Sequence, residues 1–299
     1  MGTTTLINGA SRGEPFTRRL WHACSLGGFR GPGPPLRLLA RGAPGYHHQV
    51  RPRLPADLDL LLATPHYIVE RLKRDRAREF CPRLVGHVVD VGSGRSPYRD
   101  LLSGATRYTA VEADAQCRPH VVAQAADLPF ASETVDGVML TEVLEHLAEP
   151  SAALDEAWRI LRPRGCLYVT VPMTWGLHYI PHDYYRFTGY GISHLVAKAG
   201  FELEALEPMG GLFAIISARL AAVASTVLLE NPLRRMGVDR GRLRMSALAL
   251  AGFNLPAFYA SRVLDRFWRE DVFAWALLAR KPGSLNHTRA TVTHPWKSP

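Results

Sequence analysis

The most constraining feature of this chain is a short β-branched run, His87–Val91, that ends in Asp90-Val-Gly92-Ser93-Gly94. Glycines at the end of a strand let the backbone turn sharply and approach a ligand with no side chain between. Further strand-like runs follow at Tyr108–Glu112, Val121–Ala123, Val135–Thr141 and Cys166–Pro172. The last is almost continuously apolar, as a strand covered on both faces should be. Between the fourth and fifth runs, Leu154, Ala157, Trp158 and Leu161 recur at helical spacing. Gly191–Ala199 reads as another helix, closed by Gly200. Strands alternating with helices predict an α/β fold with a mostly parallel sheet. Phe201–Leu206 and Val272–Ala279 complete it as two further strands.

The polar residues fall where such a sheet binds ligands, at the C-terminal ends of its strands. Glu112 closes the second strand and can accept hydrogen bonds from ribose hydroxyls. Asp127, in Asp127-Leu128-Pro129-Phe130, can accept from the exocyclic amine of a purine. Thr141 and Glu142 follow the fourth strand, with Glu145 and His146 just beyond. Each has a plainer reading: Glu112 as a surface strand end, Asp127 as a turn residue, the two glutamates as N-terminal helix charges, His146 as a structural histidine. The missing third glycine, where Ser96-Pro97 stands, argues against a nicotinamide dehydrogenase.

These segments resemble the class I S-adenosylmethionine-dependent methyltransferases of the type 11 group. The matching stretches are VVDVGSG (88–94), AVEAD (110–114), ADLPFASETVDGVML (126–140), TEVLEHL (141–147) and ALDEAWRILRPRGCLYVTVP (153–172). The resemblance covers about 84–206 and resumes at FAWALLARKPG, near 272–282. It implies a Rossmann-like seven-stranded sheet with an antiparallel last strand, and S-adenosyl-L-methionine as cofactor. It further implies that Asp90, Gly92, Ser93 and Gly94 hold the methionine part. Glu112 then takes the ribose, Asp127 and the Leu128 backbone the adenine, and Thr141 and Glu142 the space beside the sulfonium. The segment after Asp114 is too short for a full second helix.

The expected organisation is a poorly ordered basic extension over 1–55, a methyltransferase domain over 56–283 with a helical insertion at 208–270, and a flexible tail over 284–299. Residues 1–55 fit a plain extension, a presequence or a partner-binding arm, so a mitochondrial address stands as an alternative to the cytoplasm. A helix is expected from near Pro55 into Tyr67–Phe80, with Arg71, Lys73, Arg74, Arg76 and Arg78 as its solvated face. The net charge of +9 divides into +7 over 1–55, −6 over 56–230 and +8 over 231–299, so any argument for nucleic acid concerns the ends. An RNA methyltransferase therefore ranks low. Arg219 and Pro256 break the apolar runs of the insertion, which argues against a membrane span. The insertion reads as a cap over the site or, alternatively, as a peripheral membrane contact through 211–262.

After the fifth strand comes a loop rich in aromatics and histidines, from Trp175 through His178, His182, Asp183 and Tyr184 to Arg186 and Thr188. One reading is structural, with Arg186 pairing an acid and Thr188 starting the next helix. The other has the loop contact the methyl acceptor. His146, His178 and His182 are the candidate bases, since histidine alone titrates near neutrality unperturbed. His178, His182 and Asp183 permit a metal by spacing, but three ligands in one loop make a weak site, and none is expected. Four separated cysteines give no zinc signature and favour a reducing compartment. The expected acceptor is a small molecule or a glycan- or lipid-linked group. A methyltransferase-like binding module without catalysis is the competing class.

Overall fold

A computed structural model describes residues 66–225, 244–268 and 270–283, with the backbone alone for 244–250. The expected extension over 1–55, the helix start near Pro55 and the tail over 284–299 lie outside the described residues.

Seven strands form one sheet: β1 (Gly86–Val91), β2 (Ala105–Glu112), β3 (Val121–Val122), β4 (Val135–Thr141), β5 (Leu161–Pro172), β6 (Glu202–Met209) and β7 (Ala274–Arg280). Their order across the sheet is β3-β2-β1-β4-β5-β7-β6. β1 pairs in parallel with β2 and β4, and β4 with β5. β7 runs antiparallel to both β5 and β6. This is the expected sheet, antiparallel last strand included. The chain steps one way from β1 to β2 and the other way from β4 to β5. The strand order therefore reverses between β1 and β4, which is where open α/β sheets bind ligands.

Alternation along each strand separates two cores. Val89, Val91, Val138, Leu140, Val169 and Leu277 face one side, where α2 (Pro150–Ile160) and α3 (Gly189–Lys198) bring Leu154, Ile160, Ile192 and Val196. Val88, Met139, Tyr168 and Leu278 face the other, under α1 (Tyr67–Phe80), α4 (Leu212–Val223) and α5 (Arg244–Leu264). Both faces are covered, which is why the strands read as apolar runs rather than a strict alternation.

Two local expectations change. β5 begins at Leu161, directly after α2, rather than at Cys166: Leu161 pairs with Val135 before an irregular stretch brings Cys166 to Gly137. The basic residues of α1 are not a solvated face. Lys73 pairs with Glu142, Arg74 with Asp100 and the Pro97 carbonyl, and Arg76 with the Pro208 carbonyl; of the five, only Arg78 is exposed. Lys73, Arg74 and Arg76 attach α1 to the rest of the fold, whereas Arg71 and Arg78 pair with Asp75 of the same helix. Only short 3₁₀ turns, Arg99–Leu101 and Ala115–Cys117, lie between β1, β2 and β3, so the second helix is indeed missing.

The helical insertion is present as α4 and α5. Asp265, just past α5, accepts from the Gly211 and Phe213 amides at 2.8 Å each and so caps the start of α4. The Arg219 guanidinium lies 4.5 Å from the centre of the Trp175 ring, which sets α4 against the loop after β5. No described helix is long and apolar enough to cross a membrane.

Candidate functional site

The loop after β1 is shaped by its two glycines. Gly92 has φ +66°, and a Cβ there would meet Val143 Cγ2 at 2.4 Å, so the loop packs tightly on the chain leaving β4. Gly94 has φ +50°, and a Cβ there would meet nothing within 4 Å. One glycine serves close packing and the other borders open space.

Polar groups converge on this loop. Glu112 accepts from the Gly94 amide at 3.0 Å with one oxygen, and from the Ala113 and Asp114 amides at 2.8 and 3.3 Å with the other. The ends of β1 and β2 are thereby joined. Asp90 is 1% exposed; one carboxylate oxygen accepts from the Tyr108 hydroxyl at 2.6 Å and the other has no partner. Burial pushes its carboxyl up to about 7, with the Tyr108 hydrogen bond pulling the other way and the Glu112 charge adding to the rise. The Ser93 amide donates to the Val111 carbonyl, while its buried hydroxyl has no partner.

The other strand ends contribute unevenly. Asp127 is exposed, with its amide on the Gln124 carbonyl at 3.1 Å. The Leu128 amide donates to Glu156 and its carbonyl accepts from Arg159, both at 2.9 Å, so this backbone is already engaged within the protein. Thr141 ends β4 opposite Thr170. Glu142 follows with φ +56°, and its amide donates to the Thr170 carbonyl at 3.0 Å. One of its carboxylate oxygens lies 2.7 Å from Lys73 Nζ; the other is buried without a partner. Burial pulls Lys73 down, but Glu142, with Glu70 and Glu145 behind it, more than offsets this and the ammonium is held above its ordinary range.

Of the three histidines, two come together. The His146 and His178 rings are 4.7 Å apart, centre to centre. The His182 ring points to the exposed side, 3.2 Å from the Tyr184 hydroxyl, and it is the His182 carbonyl that meets His146 Nδ1, at 2.7 Å. Burial holds His178 below its ordinary pKa despite the opposing pull of Asp183. Arg186 pairs with the buried Asp183 at 2.7 Å, and the Thr188 hydroxyl accepts from the Gly191 amide to cap α3. The structural reading of this loop holds for Arg186 and Thr188, and His178 is nonetheless delivered to the site.

Three residues of the site had no role assigned to them from the sequence. Tyr108 lies on the face of β2 shared by Ala110 and Glu112, a period-2 signal visible in the sequence. Lys73 falls four residues after Val69 and four before Ala77, on the buried stripe of α1. Glu145 is wholly buried and feels the charges of Glu142 and Lys73. Nothing in local spacing separates it from Glu142.

Residues 89–169 match the family model described as a methyltransferase domain. A comparison with curated proteins found no match. Among solved structures, the chain is similar to a SAM-dependent methyltransferase from Archaeoglobus fulgidus at 16% identity and a TM-score of 0.46, covering 71% of this chain and 94% of that one. It is similar to the 1,6-didemethyltoxoflavin-N1-methyltransferase of Burkholderia thailandensis at 15% identity and 0.43, covering 78% and 93%. It is also similar to the [4+2]-cyclase SpnF at 20% identity and 0.45, covering 70% and 81%. At these identities and scores the three structures carry no argument about activity. The family match runs from β1 to β5 and takes in the strand-end loops described above, so this segment of the chain is similar to a methyltransferase domain.

Proposed function

We propose that the chain transfers a methyl group from S-adenosyl-L-methionine to a small-molecule, glycan-linked or lipid-linked acceptor. The observation that carries this reading is the joined Asp90, Ser93, Gly94 and Glu112 set, with open space at Gly94 and acceptor atoms left without partners on Asp90 and Ser93. The cofactor's amino acid end brings an ammonium and its ribose brings hydroxyls, which are the donors such atoms need. The groups fit. Asp90 would hold the ammonium, Glu112 the ribose and Asp127 the adenine edge, while Glu142 would border the sulfonium.

The cofactor supplies an activated methyl group, so the protein's contribution is alignment and the exclusion of water. The ring of His178, kept neutral by burial, or that of His146 beside it, can take a proton from an acceptor hydroxyl. Arg219 on Trp175 holds α4 against the same loop, consistent with α4 and α5 as a cap over the acceptor. A peripheral membrane contact through 211–262 is the second reading, favoured by apolar side chains that α4 and the chain after α5 leave exposed, among them Leu220, Val223 and Phe267.

Calorimetric titration with S-adenosylmethionine and its demethylated product tests the proposal. Binding by the wild type should weaken about 10- to 100-fold in Asp90→Ala and in Glu112→Gln, the loss expected for one charge-assisted hydrogen bond. A folded wild type that binds neither compound would leave the binding module without catalysis as the surviving reading.

A further inference from the structure

Glu145 lies in the chain leaving β4 with its carboxyl group wholly buried, and neither oxygen has a hydrogen-bond partner. A buried carboxyl with two idle oxygens calls for a cationic partner.

Two imidazoles face it. His146 Nδ1 lies 2.7 Å from the His182 carbonyl, and His178 Nδ1 lies 3.1 Å from the Gly176 carbonyl. A carbonyl only accepts, so both Nδ1 atoms carry a proton, and in the neutral ring Nε2 is then the nitrogen that holds the lone pair. Arg186 Nη2 also approaches His178 Nδ1, at 3.4 Å, but donates to Gly176 and Asp183 at 2.9 Å each. An imidazole whose Nδ1 is pinned to a backbone carbonyl presents Nε2 as metal-binding histidines do. His146 Nε2 is 3.7 Å from Glu145 Oε1, and one ligand atom from each of the three residues lies within 4.8 Å of the others. The loop bearing His178 is tied to this point, since the Tyr184 and Tyr185 amides both donate to the Glu145 carbonyl.

We infer that Glu145, His146 and His178 form a binding site for a divalent transition-metal ion. Two imidazole nitrogens and one carboxylate suit zinc, cobalt, manganese or ferrous iron, and not magnesium or calcium, which favour all-oxygen sets. Ligands about 2.1 Å from a tetrahedral ion lie about 3.4 Å from one another, so no separation need close by more than about 1.4 Å on loading. Three protein ligands leave a coordination position for water or for an acceptor oxygen, the pattern of catalytic rather than structural sites. The sequence expectation of no metal considered His178, His182 and Asp183 alone. The tertiary fold turns the His182 ring outward, commits Asp183 to Arg186 and brings two ligands from a different strand end.

The site stands on its own geometry; its role rests on the methyltransferase reading. There, with both imidazoles on the ion, the ion takes the place of a histidine base: an acceptor hydroxyl bound at the open position gives up its proton to solvent more readily. Its oxygen lone pair then forms the new bond to the methyl carbon, and the pair of the broken carbon–sulfur bond returns to sulfur.

The test uses the full chain, stripped with chelator and free of methyl donor, titrated in separate runs with Zn²⁺, Co²⁺ and Mg²⁺ and followed by calorimetry and, for cobalt, by visible absorption. One Zn²⁺ or Co²⁺ per chain is expected, with Mg²⁺ far weaker. Glu145→Gln and His178→Ala should each lower the affinity about 100-fold or more, beyond the loss typical of an outer-shell change. Thermal unfolding of the stripped variants verifies their fold, and His178→Ala, altered in a loop, carries the test if Glu145→Gln unfolds. No zinc binding by a folded wild type, or binding that both variants retain, would overturn the site. Metal binding without binding of S-adenosylmethionine would remove the methyltransferase reading and leave the site; the reverse would remove only the site.

Discussion

Asp90 sits at the end of β1 with one oxygen on the Tyr108 hydroxyl and the other without a partner. Its pKa rises from 3.8 to about 7 on folding. Between those values the folded chain holds a proton that the unfolded chain has released, so this residue makes stability fall as pH rises, and its penalty is complete above about pH 7. Asp90→Asn keeps an acceptor for Tyr108 and removes the titration. In urea unfolding without cofactor, the variant should match the wild type near pH 4 and exceed it by a few kcal/mol at pH 8. An equal difference at both pH values would mean that Asp90 is ionised in the folded chain throughout. The position of Asp90 at a strand end was legible from its β-branched run and its two glycines. Its burial against Tyr108 was not, because that contact depends on the register that places Val88 beside Tyr108.

At the scale of elements, the last strand was legible as an apolar run, but what fastens its end was not. Lys281 follows β7 and is 3% exposed. Its ammonium donates to the Trp158 and Leu161 carbonyls at 3.0 and 2.8 Å, lies 3.1 Å from Glu133 and sits 3.9 Å from the Trp158 ring centre. It fills the junction where α2 passes into β5 without a loop. Lys281→Met keeps the aliphatic stem and leaves both carbonyls unpaired. The expected loss is about 2–4 kcal/mol, read from the urea midpoint, since each buried orphan group costs about 1–3 kcal/mol. A midpoint within error of the wild type would show that water reaches the junction. The basic stripe of α1 teaches the same lesson. Spacing gave the helix, but only the partners Glu142, Asp100 and the Pro208 carbonyl decide that Lys73, Arg74 and Arg76 are paired and half-buried rather than free in solvent.

Across the whole molecule, charge and exposed apolar surface are unevenly placed. The ends of the sequence carry +7 and +8 around a centre of −6. The helical insertion overlaps the second basic segment in sequence and leaves Leu220, Val223 and Phe267 exposed. A peripheral contact built from these would bind anionic vesicles at low salt and release them at high salt, because surface attraction is screened within about 10 Å at 0.1 M. Cosedimentation at two salt concentrations reads this directly, and no binding at low salt would leave α4 and α5 as a cap alone. The sequence by itself determined the alternating strands and helices, the glycine loop and the acid at the end of β2, because these follow from periodicity and from order along the chain, while the antiparallel last strand was implied by the family resemblance alone. The tertiary structure alone decided which polar residues are buried and which of them meet. Glu145, His146 and His178 stand on two strand ends more than thirty residues apart in the chain, and only pairing β4 with β5 brings them within one ion's reach.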